Sequence, residues 1–163
     1  MIKRLDALYA WFSNVASFLQ SPFLLIIRLA WGVQFLQTGW GKLTNIPKVV
    51  ENFTSMGAPA PAVTAPFIAT LEAVGGVLLI LGLASRLISL PLTINMIAAY
   101  VIADREALQS IFSDSDKFFA AAPYTFLFAS LIVLIFGPGQ ISLDHLINKW
   151  YRAKQQPLVA AVR

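Results

Sequence analysis

The stretch PFLLIIRLAWGVQFLQTGWGK, residues 22–42, decides the fold. It is apolar over almost its whole length, except for Arg28 near one end and Lys42 at the other. A hydrocarbon core about 30 Å thick is crossed by roughly 20 predominantly apolar residues in a helix. The stretch therefore predicts a transmembrane helix, and its two cations need partners inside the protein rather than in lipid.

The composition of the whole chain also predicts a membrane protein. Of the 163 residues, 58% are hydrophobic and 12% are charged, whereas soluble domains carry about 25% charged residues. A chain of this length has too little interior to hide so much apolar surface from water. Backbone groups cannot pair with lipid, so the spans should be helices. We expect one all-α domain over residues 1–163, an integral four-helix transmembrane bundle.

Four spans and two amphipathic helices follow from the distribution of apolar residues. We predict transmembrane helices at residues 22–42, 62–84, 87–103 and 118–136. Apolar residues recur at helical spacing over residues 1–20, with polar residues between them, which predicts an amphipathic helix in the membrane interface. Residues 142–155 predict a second amphipathic helix, on the cytoplasmic side, with Ser142 as its N-cap.

The basic residues predict the orientation of the chain. If both termini lie on one side, that side carries more Lys and Arg than the other, which favours cytoplasmic termini. The net charge of +4 is scattered over segment ends instead of forming a basic patch, so we do not expect nucleic acid as a partner. Membrane lipids are the expected surroundings, and small residues in the spans permit a homo-oligomer.

The charged residues of the first two spans are predicted to face neighbouring helices. At 100° per residue, one face of the first span collects Arg28, Gly32, Phe35, Gly39 and Lys42. In the second span, Glu72 lies beside a stripe of small residues, Ala65, Ala69, Ala73 and Gly76. Small residues at every fourth position let helix backbones approach closely in lipid. The charges therefore point into the bundle.

Glu72 is the central candidate for a functional residue and for a proton relay. A lone carboxylate at its depth would cost about 2.5–3.5 kcal/mol, so we expect it to pair with Arg28 or Lys42, or to sit protonated in a pocket. The helical rise places each cation about 10 Å away in height. Such a gap would need a water or a bridging side chain, for which the candidates are Thr38, Asn95 and Tyr100.

A purely structural interpretation stands beside the functional one. An ion pair within the membrane can serve only to set the register of two helices. Lys42 and Arg86 can extend to the headgroups, and Trp40 can be an interface anchor. Functional use is nevertheless the default hypothesis for a carboxylate at the depth of Glu72.

The residue types that are missing from the sequence limit its chemistry. The chain has no Cys, so a thiol relay and a Cys-ligated cluster are excluded. His145 is the single His and lies outside the spans, so this chain alone cannot hold a bis-histidine haem in the bundle. Glu72 has no second buried acid or His beside it, and we predict no metal site and no covalent cofactor.

Three parts of the sequence resemble the DoxX family: the face of the first span, the block LEAVGGVLLILGLASR at residues 71–86, and the tail GPGQISLD at residues 137–144. The chain departs from the family at Gln140, where an Arg is frequent, and after the third span, where Tyr100 and Asp104 stand in place of a frequent His. The resemblance implies a small four-helix protein of the bacterial inner (plasma) membrane. Some such proteins are membrane subunits of oxidoreductases, including a thiosulfate:quinone type, and others belong to oxidative-stress assemblies or detoxification.

Two functions are consistent with these features. In the first, the chain is a quinone-linked membrane subunit whose soluble or membrane oxidoreductase partner supplies electrons, and Glu72 exchanges protons with the quinone. The ligand-binding residues expected for it are Arg28, Trp31, Thr38, Trp40, Lys42, Glu72, Asn95 and Tyr100. In the second, the chain is non-catalytic, and it binds a lipid or a small apolar solute or anchors a partner enzyme.

Overall fold

The computed structural model describes residues 2–160, apart from the side chains of residues 2–4, 7 and 155–160. The described backbone is helical, with short turns and no strands. Its eight helices are α1 (Ile2–Leu43), α2 (Ile46–Ser55), α3 (Pro61–Leu81), α4 (Ser85–Ile102), α5 (Arg105–Gln109), α6 (Ser115–Ala120), α7 (Pro123–Phe136) and α8 (Leu143–Ala160). The predicted all-α fold is confirmed.

Three helices are long and apolar enough to cross a membrane: the Leu8–Leu43 part of α1, α3 and α4. The fourth predicted span, residues 118–136, is divided between the end of α6 and α7. Pro123 begins α7 because it has no N–H to donate to a preceding turn. The 14 residues of α7 reach only about 21 Å, so the predicted count of four spans is approximate.

The N-terminal region also differs from its prediction. Residues 1–20 were expected to form a separate interfacial helix ending before Pro22, but α1 continues through Pro22 without a break. A proline inside a helix removes one backbone hydrogen bond without by itself supplying a turn. The bounds of the other helices differ from the predicted bounds by a few residues. Helix α3 ends at Leu81, before Gly82, α4 covers Ser85–Ile102 and α8 covers Leu143–Ala160.

The bundle is organised around two helix pairs, α1 with α3 and α4 with α7. Gly39 lies against Ala69 and Ala73, and Gly76 lies against Gly32 and Leu36, so closely that a Cβ on either glycine would collide with the opposite backbone. The predicted stripe of small residues on α3 is buried. This contact confirms that α1 and α3 present their charged faces to each other.

The tail, residues 137–144, closes the end of the bundle that we name the tail end. Arg28 donates from Nη2 to the carbonyl oxygen of Ile141, at 2.6 Å. The Asp144 carboxylate accepts the backbone N–H groups of Ala84 and Ser85, at 2.7 and 2.9 Å, and so caps the start of α4. Ser142 Oγ accepts the backbone N–H of His145, which confirms the predicted N-cap of α8.

Replacing Asp144 with Ala should lower the unfolding free energy by about 1–2 kcal/mol, because two backbone donors at the start of α4 lose their acceptor. Thermal unfolding of the protein purified in mild detergent would measure this loss. Asp116→Ala is the matched control, since Asp116 is exposed in the first turn of α6. Equal melting temperatures for the two variants would show that the tail does not hold α4.

Candidate functional site

Glu72 is held by two side chains at the other end of the bundle, which we name the loop end because α2, α5 and α6 lie there. Lys42 donates from Nζ to both carboxylate oxygens, at 2.6 Å to Oε1 and 2.5 Å to Oε2. Asn95 donates from Nδ2 to Oε1, at 3.1 Å. Three helices, α1, α3 and α4, therefore meet in one polar cluster, Lys42–Glu72–Asn95.

The register of α1 on α3 explains why Lys42 reaches Glu72 directly. Gly39 lies opposite Ala69 and Ala73, so Lys42 is level with about residue 68, only about 6 Å along the axis from Glu72. The expected gap of about 10 Å is wrong because α3 begins well beyond the end of α1 at the loop end. The prediction that Glu72 pairs with a cation of the first span is confirmed for Lys42.

The cluster combines a buried anion with a partly accessible cation. Glu72 is 3% exposed, while the side chain of Lys42 is 30% exposed. The pair is neutral as a whole, and an ammonium group has three N–H donors. Lys42 can therefore bind Glu72 and still offer a donor to a ligand, and Asn95 keeps its carbonyl oxygen for a second contact.

A cavity of about 320 Å³, named here the apolar cavity, ends at the cluster. Besides the cluster and Thr64, its wall consists of apolar side chains from α2, α3, α4 and the residues that follow α2 and α4: Phe53, Met56, Ala58, Pro59, Ile68, Ala98, Ala99, Ile102 and Ala103. This volume is near the lower limit for small-molecule sites, which combine an apolar lining with a few polar groups. The arrangement fits an apolar molecule with one polar head.

A second cavity of about 240 Å³, named here the polar cavity, reaches Lys42 and Glu72 from another side. It is lined by Phe35, Thr38, Lys42, Glu72, Met96, Ala99, Asp104, Ala122, Pro123 and Phe126. The ion pair thus borders both cavities, and only this cavity brings a second carboxylate, that of Asp104, into the same wall.

The sequence model of the DoxX family matches residues 23–105 of the chain. The chain belongs to the DoxX family. That matched segment contains all three residues of the cluster. No solved structure matches the chain.

Three relatives are similar over most of their length. "Uncharacterized membrane protein Rv3486" of Mycobacterium tuberculosis is 32% identical over 135 residues, which cover 78% of this chain and 83% of the relative. "Inner membrane protein YqjF" of Escherichia coli K12 is 26% identical, covering 77% and 92%. "Putative oxidoreductase CatD" of Bacillus subtilis 168 is 27% identical, covering 77% and 87%. Two of these three names describe a membrane protein.

Two of the sequence-predicted ligand residues of this DoxX protein lie away from the cluster. Arg28 is 1% exposed and binds the tail through Ile141, and its position on α1 is about 21 Å from that of Lys42. Trp31 is partly buried against the core, and its Nε1 has no hydrogen-bond partner among the described residues. Neither residue lines the two cavities at Glu72.

Three further predicted residues have separate positions. Thr38 lines the polar cavity, but its hydroxyl donates to the carbonyl of Phe35 instead of Glu72. Trp40 is 63% exposed on the outer face of α1. Tyr100 is buried, stacks on Phe118 and donates to its carbonyl oxygen at 2.8 Å. Of the candidates for bridging Glu72, the structure brings only Asn95 into contact with it.

The sequence-based prediction missed the contribution of α2 and of Asp104. Phe53 on the apolar side of α2 and Met56 directly after the helix form a wall of the apolar cavity. The apolar periodicity of α2 indicates that one side of this helix is buried, but the sequence of α2 does not indicate which helix that side packs against. Asp104 comes shortly after α4 and shares the wall of the polar cavity with Lys42, Glu72 and the first residues of α7, which packs against α4.

Proposed function

We propose that this DoxX protein is a quinone-linked membrane subunit of an oxidoreductase, and that the apolar cavity holds the quinone. The observation that carries the proposal is the cluster Lys42–Glu72–Asn95 in the wall of a mainly apolar cavity. A relative from Bacillus subtilis, CatD, has a name that includes oxidoreductase, which supports the reaction class.

The charge of the cluster favours a neutral head group. Lys42 is already compensated by Glu72, and an isolated charge is costly to bury in an apolar medium. A fatty acid would bring a carboxylate without a counter-ion, whereas a quinone brings carbonyl oxygens. A carbonyl oxygen can accept a hydrogen bond from Lys42, and a quinol hydroxyl can donate to the Asn95 carbonyl oxygen.

The proposed chemistry is the two-electron reduction of the quinone. A redox centre in a partner subunit supplies two electrons, two O–H bonds form, and two protons are taken from water. Lys42 orients the quinone by donating to one carbonyl oxygen. Glu72 relays protons towards that oxygen, a role that carboxylates inside membranes frequently have. In this proposal the chain itself contributes binding, orientation and proton transfer.

The proposal includes a location in the bacterial inner membrane with both termini in the cytoplasm. The Escherichia coli relative is named an inner membrane protein, and the excess of Lys and Arg near the termini supports the orientation. The tail end then faces the cytoplasm, and the loop end, with its two cavities, faces the opposite side.

A second candidate function is the binding of a small apolar solute without catalysis. The mainly apolar wall of the cavity, with Phe53, Met56 and Ile68, is as suitable for such a solute as for a quinone. The two candidates differ in their need for the polar cluster. A quinone requires the donor of Lys42, while a hydrocarbon would bind without it and would be unaffected by Glu72→Gln.

Thermal unfolding with added short-chain ubiquinone or menaquinone should test the proposal. A quinone at about 100 times its Kd should raise the stability by about 2.7 kcal/mol and the melting temperature by roughly 5–10 °C. Ala98→Phe, which fills the apolar cavity, should abolish the shift. Ile94→Phe on the exposed face of the same helix is the matched control and should keep it.

The same assay separates the two candidate functions. Loss of the quinone shift in Glu72→Gln supports the quinone site, because the cluster loses the anion that fixes Lys42. No saturable shift with either quinone would contradict the proposal. Stabilisation by an aliphatic alcohol, but not by quinones, would favour the solute-binding function.

A further inference from the structure

The polar cavity differs from the apolar cavity in the chemistry of its wall. Lys42 and Glu72 belong to both. The apolar cavity adds the uncharged Asn95 and Thr64, whereas the polar cavity adds Thr38 and Asp104, so a second carboxylate distinguishes its wall. Internal water needs a site that is roomy and offers two to four polar partners. A cavity of about 240 Å³ with four polar side chains in its wall meets both conditions.

Asp104 links the polar cavity to the surface of the loop end. It also borders an open cleft of about 680 Å³, together with the charged residues Arg105, Glu106 and Lys117. Asp104 does not cap α5 through its side chain, and it forms no ion pair within the described part of the chain. A partly buried carboxylate without a protein partner is stabilised by water.

We propose that the polar cavity is a water-filled path that connects Glu72 with the surface of the loop end, and that Asp104 marks its mouth. The ion pair then separates two environments. The apolar cavity admits a lipid-soluble molecule from the side of the bundle formed by α2 and α4. The polar cavity admits water and protons from the side formed by α5, α6 and α7. Glu72 exchanges protons with the loop end and not with the tail end.

This inference deepens the proposed function and rests on it for its purpose, because quinone reduction consumes two protons that must reach a buried site. Glu72 takes a proton from the water path and passes it towards the quinone. Glu72 then takes the second proton from the same path. The existence of the path, however, can be measured without any quinone or partner subunit.

The absence of Cys from the sequence makes accessibility measurements simple, because one introduced Cys reports alone. Of the two cavities, Met96 lines the polar one and Ala98 lines the apolar one, and Met96 is buried at 6% exposure. In nanodiscs, Met96→Cys should react with charged methanethiosulfonates at least ten times faster than Ala98→Cys. Ala98→Cys should react with N-ethylmaleimide, which enters through lipid. Thr38→Cys is the second reporter of the polar cavity if Met96→Cys does not fold.

The position of Asp104 at the mouth can be tested by its charge. The negative carboxylate should favour a cationic reagent over an anionic one at Met96→Cys, and Asp104→Asn should lower that rate ratio severalfold, because both reagents must pass a charge that attracts one and repels the other. Glu106→Gln, in the surface cleft but outside the polar cavity, should change the ratio less than twofold. Equal effects of both variants would overturn the placement of Asp104.

The outcomes separate the path from the quinone site. If both reporters of the polar cavity resist charged reagents, or if Ala98→Cys reacts with them equally fast, the water path is wrong. If the reporters of the polar cavity react as expected but quinone neither protects Ala98→Cys nor stabilises the protein, the path stands and the quinone function fails.

Discussion

Lys42→Met will destabilise the protein by about 3 kcal/mol, because it leaves the Glu72 carboxylate buried without its counter-ion. Breaking a buried pair on one side costs about 3–5 kcal/mol, and the partial exposure of Lys42 places this case at the lower end. The double variant Lys42→Met/Glu72→Leu removes both charges and should recover most of the loss. Thermal and denaturant unfolding in detergent micelles would measure all three proteins.

Lys48→Met is the matched control for this prediction. Lys48 is exposed on α2 and has no ion-pair partner among the described residues, so its loss should change stability by less than about 0.5 kcal/mol. If Lys42→Met is as mild as the control, Glu72 is held protonated in a pocket. If the double variant is as unstable as the single one, packing and not charge explains the effect.

Gly39→Ala will cost about 2–3 kcal/mol, since an added Cβ collides with the backbone of Ala73 and separates α1 from α3. The chain provides a matched control two residues away. A Cβ on Gly41 meets nothing within 4 Å, so Gly41→Ala should be neutral or stabilising by up to about 1 kcal/mol. The difference between their melting temperatures measures the close contact of the two helices.

The contact of α1 with α3 also positions the functional cluster. Separating the backbones at Gly39 moves Lys42 away from Glu72, so Gly39→Ala should also weaken quinone stabilisation while Gly41→Ala keeps it. Equal stability of the two alanine variants would contradict the register that joins these helices.

Helical periodicity was sufficient to predict which faces meet. Arg28, Gly39 and Lys42 fall on the face of α1 that packs on α3, because a period of 3.6 residues is local information. The distance between Lys42 and Glu72 was not predictable in the same way. It depends on how far α3 extends beyond α1, and neither helix contains a signal for that offset.

Pairs that are distant in sequence account for the other differences. Arg28 binds the carbonyl of Ile141, more than 100 residues away, and no rule of spacing could connect them. Proline gave an ambiguous signal, since Pro22 lies inside α1 whereas Pro123 begins α7. Both positions are compatible with a residue that lacks a backbone N–H, and tertiary packing decides between them.

Photoaffinity labelling with an azidoquinone in native membranes would show where the quinone binds. We expect the cross-links to map to Phe53 on α2, to Met56 directly after it, and to Ala98, Ala99 and Ile102 on α4, and excess unlabelled quinone to suppress them. Suppressible cross-links at the tail end, around Arg28 and Trp31, or no suppressible cross-links at all, would contradict the proposed quinone site.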